Sequence, residues 1–266
     1  MRTLWRGRGH RARDPAPLAY PATVTTSAPP PPHVVADLAP TGVLRASINL
    51  GNAVLAQGTL DEPRGVTVDI AHVVGGRLGV PVELVTFDGA RKSFEAMATG
   101  AADICFLAID PVREEEVAFT EPYVLIEGAY VVPVDSPLRT VADVDAEGVR
   151  VAVKGGSAYD LHLTRSLQHA TLVRNDTGVG SLLSEPLEAG AGIREAVAAF
   201  AEANEGFRVV DGAFMQIRQA VGTTRTRSAE SVAFLRDLVE ELKASGFVAD
   251  ALERAGQRRE AVAPPA

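Results

Sequence analysis

The chain has 266 residues, of which 46% are hydrophobic and 23% are charged, and it carries a formal net charge of -8. These values are ordinary for a soluble globular protein and leave room for one large or two modest domains. The acidic balance argues against a nucleic-acid partner, and the single cysteine, Cys105, excludes an internal disulfide bond and a cysteine-based metal site.

Residues 1–40 are predicted to form a disordered tail, because they hold a proline-rich tract and little periodic hydrophobicity. The folded part is predicted to begin near Thr41. Five arginines lie in the first 13 residues, but the apolar core of a secretory signal does not follow them, and no lipid-accepting cysteine is nearby. The sequence therefore shows no visible export signal.

The next segment alternates between strand and helix patterns. The apolar residues of the helix after Asp69 recur at helical spacing, and Gly79 ends it. This alternation predicts a parallel sheet with right-handed crossovers. The predicted strands are 43–49, 82–87 and 104–109, and the helices are a segment capped by Asp69 and the segment 90–99.

A strand-like run at 124–133 is followed by a second alternating unit, which predicts a second α/β body. The clearest element is the last helix, an apolar stripe from Val232 to Leu242 that ends at Gly246. The predicted strands of this part are 150–153, 171–174, 207–210 and 216–222, and the helices are 158–168, 181–188 and 192–204.

Three motifs occur one after another along the chain, and their order is more specific than any one of them. The first is Gly-Val-Thr-Val-Asp-Ile at 65–70, and the second is the helix-to-strand step at 94–103 that ends in Gly-Ala-Ala-Asp. The third is Asp-Pro-Val-Arg at 110–113, followed by Val-Ala-Phe-Thr-Glu-Pro-Tyr at 117–123. Together, over about residues 43–255, the chain resembles the bacterial family 3 extracellular solute-binding proteins.

The resemblance implies an α/β, two-lobed type II periplasmic-binding-protein-like fold, with mixed sheets flanked by helices and two hinge strands. The first lobe would take residues 41–133 plus 214–255, and the second lobe 134–213. Residues 256–266 would be a flexible C-terminus. A shift in composition at 134–137 agrees with this division.

The resemblance also implies a function, namely capture of a small carboxylate ligand such as an amino acid by a monomeric protein that serves an ABC transporter permease. No cofactor and no metal are expected. Arg113 occupies the position of the family arginine that holds the ligand carboxylate, and arginine suits this role because its fork binds carboxylates bidentately. The alternative is a surface arginine paired with one of the glutamates that follow it.

The second lobe would complete this site with Gly156 and Ser157, where a turn leads into a helix whose N-terminus attracts anions. An ordinary turn capped by Ser157 is the alternative. Asn49 and Asn52 in the first loop are further candidate ligand contacts. Gln216 and Gln219 on the returning strand are weaker candidates.

Three features depart from the family pattern. Ala108 replaces a hydroxyl residue, and Asp110 replaces a threonine, where it would orient Arg113 or contact a ligand ammonium group. The family aspartate for the α-ammonium group has no counterpart in 187–192, which offers only Glu188 nearby. A carboxylate ligand without an α-amino group is therefore an open alternative.

Two other functional classes remain open. One is a dehydratase-like enzyme on the same fold, acting on a cyclic carboxylate with Asp110 or Glu127 as general acid. The other is an intracellular ligand-sensing module. The resemblance predicts a place outside the cytoplasm, whereas the missing signal leaves a cytoplasmic protein, or a signal upstream, as alternatives.

Overall fold

A computed structural model of the chain describes residues 10–11 and 29–266. Strands and helices alternate along most of it. The strands are β1 His10–Arg11, β2 Leu44–Asn49, β3 Gln57–Gly58, β4 Pro63–Arg64, β5 Val82–Phe87, β6 Ile104–Ala108, β7 Val117–Pro133, β8 Arg150–Lys154, β9 Thr171–Asn175, β10 Ala189–Ile193, β11 Phe207–Val209 and β12 Met215–Thr224. The helices are α1 Pro32–Leu38, α2 Val66–Leu78, α3 Ala90–Ala98, α4 Pro111–Glu114, α5 Ala158–Ser166, α6 Arg194–Ala203, α7 Ala229–Ala244 and α8 Phe247–Arg254.

The main sheet is mixed, with the order β1-β5-β2-β6-β12-β7-β10-β8-β9, and β11 also pairs with β7. Strands β5, β2 and β6 are parallel, as are β10, β8 and β9. The antiparallel pair β7 and β12 joins these two groups. The predicted two-lobed α/β fold with mixed sheets is therefore confirmed.

Strand β7 belongs to both lobes. Its first part pairs with β12 beside β6, and its last part, from Gly128 onward, pairs with β10 and β11. We call the body around β2, β5 and β6 the first lobe and the body around β8, β9 and β10 the second lobe. The boundaries at 133/134 and 213/214 stay predictions.

Each lobe has its own apolar core. The first core combines the inner faces of the strands with α2, α7 and α8, and the second lies on both faces of the β8–β10 group. Such burial is the main driving force for folding. Representative core residues are Ile48, Ile70, Leu238 and Leu252 in the first lobe, and Val132, Val151, Val153 and Val197 in the second.

The folded part begins earlier than the sequence predicts. Helix α1 falls inside the predicted tail, and its Val34 and Leu38 are buried against the first core. The Asp37 carboxylate accepts hydrogen bonds from Ser231 Oγ at 2.6 Å and from the backbone N–H of Ser228 at 2.8 Å. Two apolar side chains and the Asp37 carboxylate thus pack this short helix against α7, and His33 also contacts Glu230 of α7. The predicted disorder of 1–9 and 12–28 lies outside the described residues.

Replacing Leu38 with alanine tests this docking. We expect Leu38→Ala to lower the free energy of unfolding by about 2–5 kcal/mol, because it leaves a cavity under α1. Urea unfolding measures the change. The control is Ala36→Ser on the exposed face of the same helix, for which we expect a change within about 0.5 kcal/mol. Equal effects of the two substitutions would show that α1 does not belong to the core.

Several predicted element boundaries were wrong. Helix α2 begins at Val66 after Gly65, so Asp69 lies in its first turn and does not cap it. The segment predicted as a helix at 181–188 is a 3-10 turn over Gly178–Leu183, and α8 follows Gly246 without having been predicted. Gly79 does end α2, in the left-handed conformation that favours glycine.

The C-terminal segment is also more attached than predicted. Val262 forms a bridge with Val124, and the N–H of Ala263 donates to the carbonyl of Tyr123 at 3.0 Å. The Lys243 ammonium donates to the carbonyl of Pro264 at 2.8 Å. Residues 262–264 thus pack on the outside of β7. Within the described ranges, none of the helices has the length and apolarity needed to cross a lipid bilayer.

Candidate functional site

A cavity of about 230 Å³ lies between the two lobes. Its walls come from the carboxyl ends of parallel strands in both lobes, which is where α/β proteins bind ligands, and from β12. The residues around it are Asn49, Gly51, Asn52, Asp88, Gly89, Ala90, Arg91, Lys92, Leu107, Ala108, Arg113, Lys154, Gly155, Ser157, Ala158, Tyr159, Asp176, Ile193, Ile217 and Gln219.

Arg113 lies in the wall of this cavity and is only 2% exposed. Its Nη1 donates to the carbonyl of Ala108 at 3.0 Å, and its Nη2 reaches across the cleft to the carbonyl of Gly156 at 3.1 Å. Burial lowers the pKa of Arg113 to about 10, against the opposing effect of Asp110. The guanidinium therefore stays charged at neutral pH. It does not pair with the glutamates that follow it in the described structure, so the surface alternative does not describe its position.

Asp110 is placed differently from the prediction. It lies outside the cavity lining, where its Oδ1 caps α4 by accepting from the N–H of Val112 at 3.0 Å. Its Oδ2 lies 2.6 Å from Nη2 of Arg165, on α5 of the second lobe. The carboxylate thus serves a helix cap and a pair between lobes, and it does not face the space where a ligand ammonium group would lie.

The turn of the second lobe contributes less than predicted. The N–H of Gly156 donates to the Asp160 carboxylate at 2.8 Å, and the N–H of Ser157 donates to the carbonyl of Lys154 at 3.2 Å. The Ser157 hydroxyl caps α5. The N–H groups of Ala158 and Tyr159, the first two residues of α5, have no intrahelical acceptor by helix geometry. These two N–H groups are therefore the donors at this helix end that could bind an anion.

Gly156 is itself constrained by the backbone. Its φ is +72°, in the region that favours glycine, and a Cβ there would lie 2.8 Å from Cβ of Arg91. Gly156 therefore lets the second lobe approach the first closely. Gly156 thus has a steric role, and its carbonyl accepts a hydrogen bond from Arg113. It is not among the residues that line the cavity, where the predicted contact with the ligand would place it.

The remaining predicted residues divide by position. Asn49, Asn52 and Ala108 line the cavity, and so does Gln219, which is buried on β12. Gln216 on the same strand is exposed and lies outside the lining.

The position expected to hold an ammonium group is apolar. Glu188 binds Arg150 at 2.8 Å, outside the cavity. Ile193, which ends β10 and precedes α6, lines the cavity instead. Glu127, one of the two proposed general acids, pairs with Arg194 and is also outside the lining. Neither Asp110 nor Glu127 is therefore placed to protonate a ligand in this cavity.

Further charged residues line the cavity. Lys154, which begins the predicted anion-binding turn and ends β8, donates from Nζ to the carbonyl of Asp88 at 2.8 Å across the cleft. Sequence reasoning missed Asp88, whose carboxylate binds Lys92 at 2.7 Å, and this hydrogen bond is the main cause of its lowered pKa. The signal for Asp88 was its place directly after the parallel strand β5. Asp176, after β9, is an exposed third member of this group.

Among the described residues, three polar contacts cross the cleft, besides the pair of Glu127 with Arg194. In each, a cation on one lobe meets a carbonyl or carboxylate on the other. They are Arg113 with Gly156, Arg165 with Asp110, and Lys154 with Asp88. The structure is thus the closed form of the cleft.

Arg165→Ala tests the part of this closure that lies outside the cavity. The arginine is half exposed, so its contribution to the closed form is about 1 kcal/mol or less. We expect the unliganded variant to show a larger radius of gyration in small-angle X-ray scattering. Arg150→Ala is the control, because this arginine is as exposed as Arg165 but its pair with Glu188 lies within one lobe. An unchanged radius in the Arg165 variant would contradict a role in closure.

The comparisons with known proteins agree with this arrangement. The family of bacterial extracellular solute-binding proteins, family 3, matches residues 54–257. No curated protein matches the sequence.

Three solved structures share the fold at low sequence identity. The solute receptor for L-cysteine of Neisseria gonorrhoeae is 22% identical with a TM-score of 0.73, over 86% of this chain and 99% of that one. The ABC transporter substrate-binding protein AbpA of Streptococcus pneumoniae, bound to L-arginine, is 22% identical with a TM-score of 0.69, over 82% and 96%. The ancestral amino acid-binding protein AncCDT-1, a precursor of cyclohexadienyl dehydratase, is 21% identical with a TM-score of 0.67, over 83% and 98%.

Proposed function

Because the chain belongs to the bacterial extracellular solute-binding proteins of family 3, we propose that it captures a small carboxylate ligand, such as an amino acid, between its two lobes. The observation that carries this is the buried, charged Arg113 in the wall of a cavity shared by both lobes. A guanidinium in such a place binds a carboxylate with two parallel hydrogen bonds.

The surroundings of Arg113 support a carboxylate. Ala158 and Tyr159, in the first turn of α5, line the same cavity, and a helix N-terminus adds positive potential there. The Gln219 side chain is an amide donor and acceptor in the same wall. At about 230 Å³, the cavity is below the roughly 300–1,000 Å³ of sites for drug-sized molecules. This suits a metabolite of a few carbon atoms.

The mechanism that we propose is hinged closure. The ligand carboxylate would first bind Arg113 on the open first lobe. The second lobe would then close about β7 and β12 and bring Lys154 and the start of α5 to the ligand. A membrane permease of an ABC transporter would recognise the closed monomer outside the cytoplasm. The residues of the second lobe would be 134–213.

A thermal-shift screen of the purified chain against the amino acids and small organic acids tests this function. We expect at least one carboxylate to raise the melting temperature, and titration calorimetry then measures its affinity. Loss of prephenate or arogenate on incubation would instead support the dehydratase alternative. A native protein found only in the cytoplasmic fraction would support the sensing module. Failure of all carboxylates to bind would overturn the proposal.

A further inference from the structure

The charges around the cleft are not balanced. On the first lobe, Lys92 and Asp88 form an ion pair of 2.7 Å. Lys154 of the second lobe reaches the same residue but donates to its backbone carbonyl, which has no net charge. In the described part of the chain, no other carboxylate lies at ion-pair distance from either lysine. Two cations therefore share this one acid, and the other acid of the described lining, the exposed Asp176, forms an ion pair with neither of them.

The same imbalance occurs around Arg113. Asp110 lies close enough to stabilise the charge of Arg113 but is bound directly to Arg165 at 2.6 Å. Arg113 itself donates only to the carbonyls of Ala108 and Gly156 among the described residues. Again two cations share one acid. The second positive charge is the better buried of the two, because Arg113 is 2% exposed.

The two uncompensated cations lie close together. Arg113 Nη2 contacts the carbonyl of Gly156 at 3.1 Å, and Gly156 lies two residues after Lys154. Arg113 and Lys154 both line the same cavity of about 230 Å³. A molecule of a few carbon atoms with an acidic group at each end fits a cavity of this size.

We propose that the ligand of the cleft is a small dianion with two carboxylate groups, one bound by Arg113 and the other by Lys154. This inference rests on the proposed function and adds the charge of the ligand. A buried cation without an anionic partner is costly, and this applies to Arg113. The partly buried Lys154 adds a second positive charge to the same cavity, and the two together favour a guest with two carboxylates. A cationic side chain such as that of arginine or lysine would instead meet like charges.

Two classes of small molecule carry two carboxylate groups. Acidic amino acids also have an α-ammonium group, whereas plain dicarboxylates do not. Ile193, the residue directly after the segment 187–192 in which the acid was expected, is apolar and lines the cavity. Asp176 is the lining acid for which the described structure shows no ion pair, and it is exposed at the edge of the cavity. Glutamate would use Asp176 for its ammonium group, whereas glutarate would not need it.

Titration calorimetry of the full chain against matched ligands tests the charge of the guest. The pairs are glutamate with glutamine, aspartate with asparagine, and glutarate or succinate with butyrate, and arginine and lysine complete the panel. We expect a diacid to bind at least tenfold more tightly than its matched amide or monoacid. A preference for glutamate that Asp176→Asn removes identifies an acidic amino acid, and equal binding of glutarate identifies a dicarboxylate. Both results support a dianion.

Lys154→Gln tests the second carboxylate site. We expect it to weaken diacid binding at least tenfold and to reduce the preference over the matched amide or monoacid to about threefold or less. Lys154→Arg keeps the charge and should keep most of the preference, which separates a charge effect from a folding defect. Equal binding of glutamine and glutamate, or a preference for arginine, would overturn the dianion while leaving carboxylate capture intact. If no carboxylate binds at all, the proposed function fails with it.

Discussion

Arg113→Ala is expected to abolish measurable ligand binding, with a loss of affinity of at least 100-fold. Removing one partner of a buried, hydrogen-bonded charge pair costs about 2–5 kcal/mol. The guanidinium also forms one of the contacts across the cleft, because it donates a hydrogen bond to the carbonyl of Gly156. Both the ligand carboxylate and the closed cleft would therefore lose a partner. Titration calorimetry with the ligand identified by the screen measures the loss.

Two further variants make this result specific. Arg113→Lys keeps the charge but loses the planar fork, so we expect it to recover only part of the affinity. Arg139→Ala removes an exposed arginine of the second lobe and should bind like the parent. Circular dichroism and the melting temperature check that all three remain folded. Unchanged affinity in Arg113→Ala would remove this residue from the binding site.

Asp103→Asn is expected to lower the free energy of unfolding by about 3–5 kcal/mol. The Asp103 carboxylate is 0% exposed and accepts from Arg45 Nε at 2.9 Å, Arg45 Nη2 at 2.7 Å and Arg227 Nη2 at 3.2 Å. Neutralising it removes the carboxylate that pairs with Arg45 and leaves Arg227 with only the longer contact to Asp37 at 3.6 Å, which is strongly destabilising at a buried site. Urea unfolding monitored by circular dichroism measures the change.

Ligand affinity should be nearly unaffected in the folded Asp103→Asn protein. Asp103 precedes β6, whereas Ala108, at the other end of the same strand, lines the cavity. Asp135→Asn, at an exposed position, is the control and should change stability by about 0.5 kcal/mol or less. A loss of stability no larger than that of the control would mean that the three-residue network does not support the first lobe.

Local sequence patterns predicted the parallel strands well, because these strands are dense in branched apolar residues. Strand β5 has the predicted bounds, Val82–Phe87. Strand β10 was missed, because its sequence Ala-Gly-Ala-Gly-Ile has the composition of a turn. Packing explains the glycine there, since a Cβ on Gly190 would lie 2.9 Å from Leu182 Cδ1 and 3.0 Å from Val179 Cγ1. Tertiary contact, and not local preference, makes this segment a strand.

The site was predictable only in part for a similar reason. The resemblance pointed to Arg113, and the structure puts this residue in the cavity wall. The partner of Lys154 was not predictable, because Asp88 lies 66 residues away on the other lobe. The pairing of Asp110 with Arg165 also depends on how the lobes meet. Contacts of this kind follow from the closed arrangement of the lobes, which no local motif encodes.

The position of β12 has a consequence for synthesis on the ribosome. This strand lies between β6 and β7 in the first lobe, but it is translated only after the whole segment 134–213. The N-terminal lobe therefore emerges with a gap in its sheet, while the segment that follows can already fold. Chains stalled before residue 215 would expose the unpaired sides of β6 and β7, which are open to wrong strand pairing. A nascent chain would therefore keep these strand edges open until residues 215–224 are made.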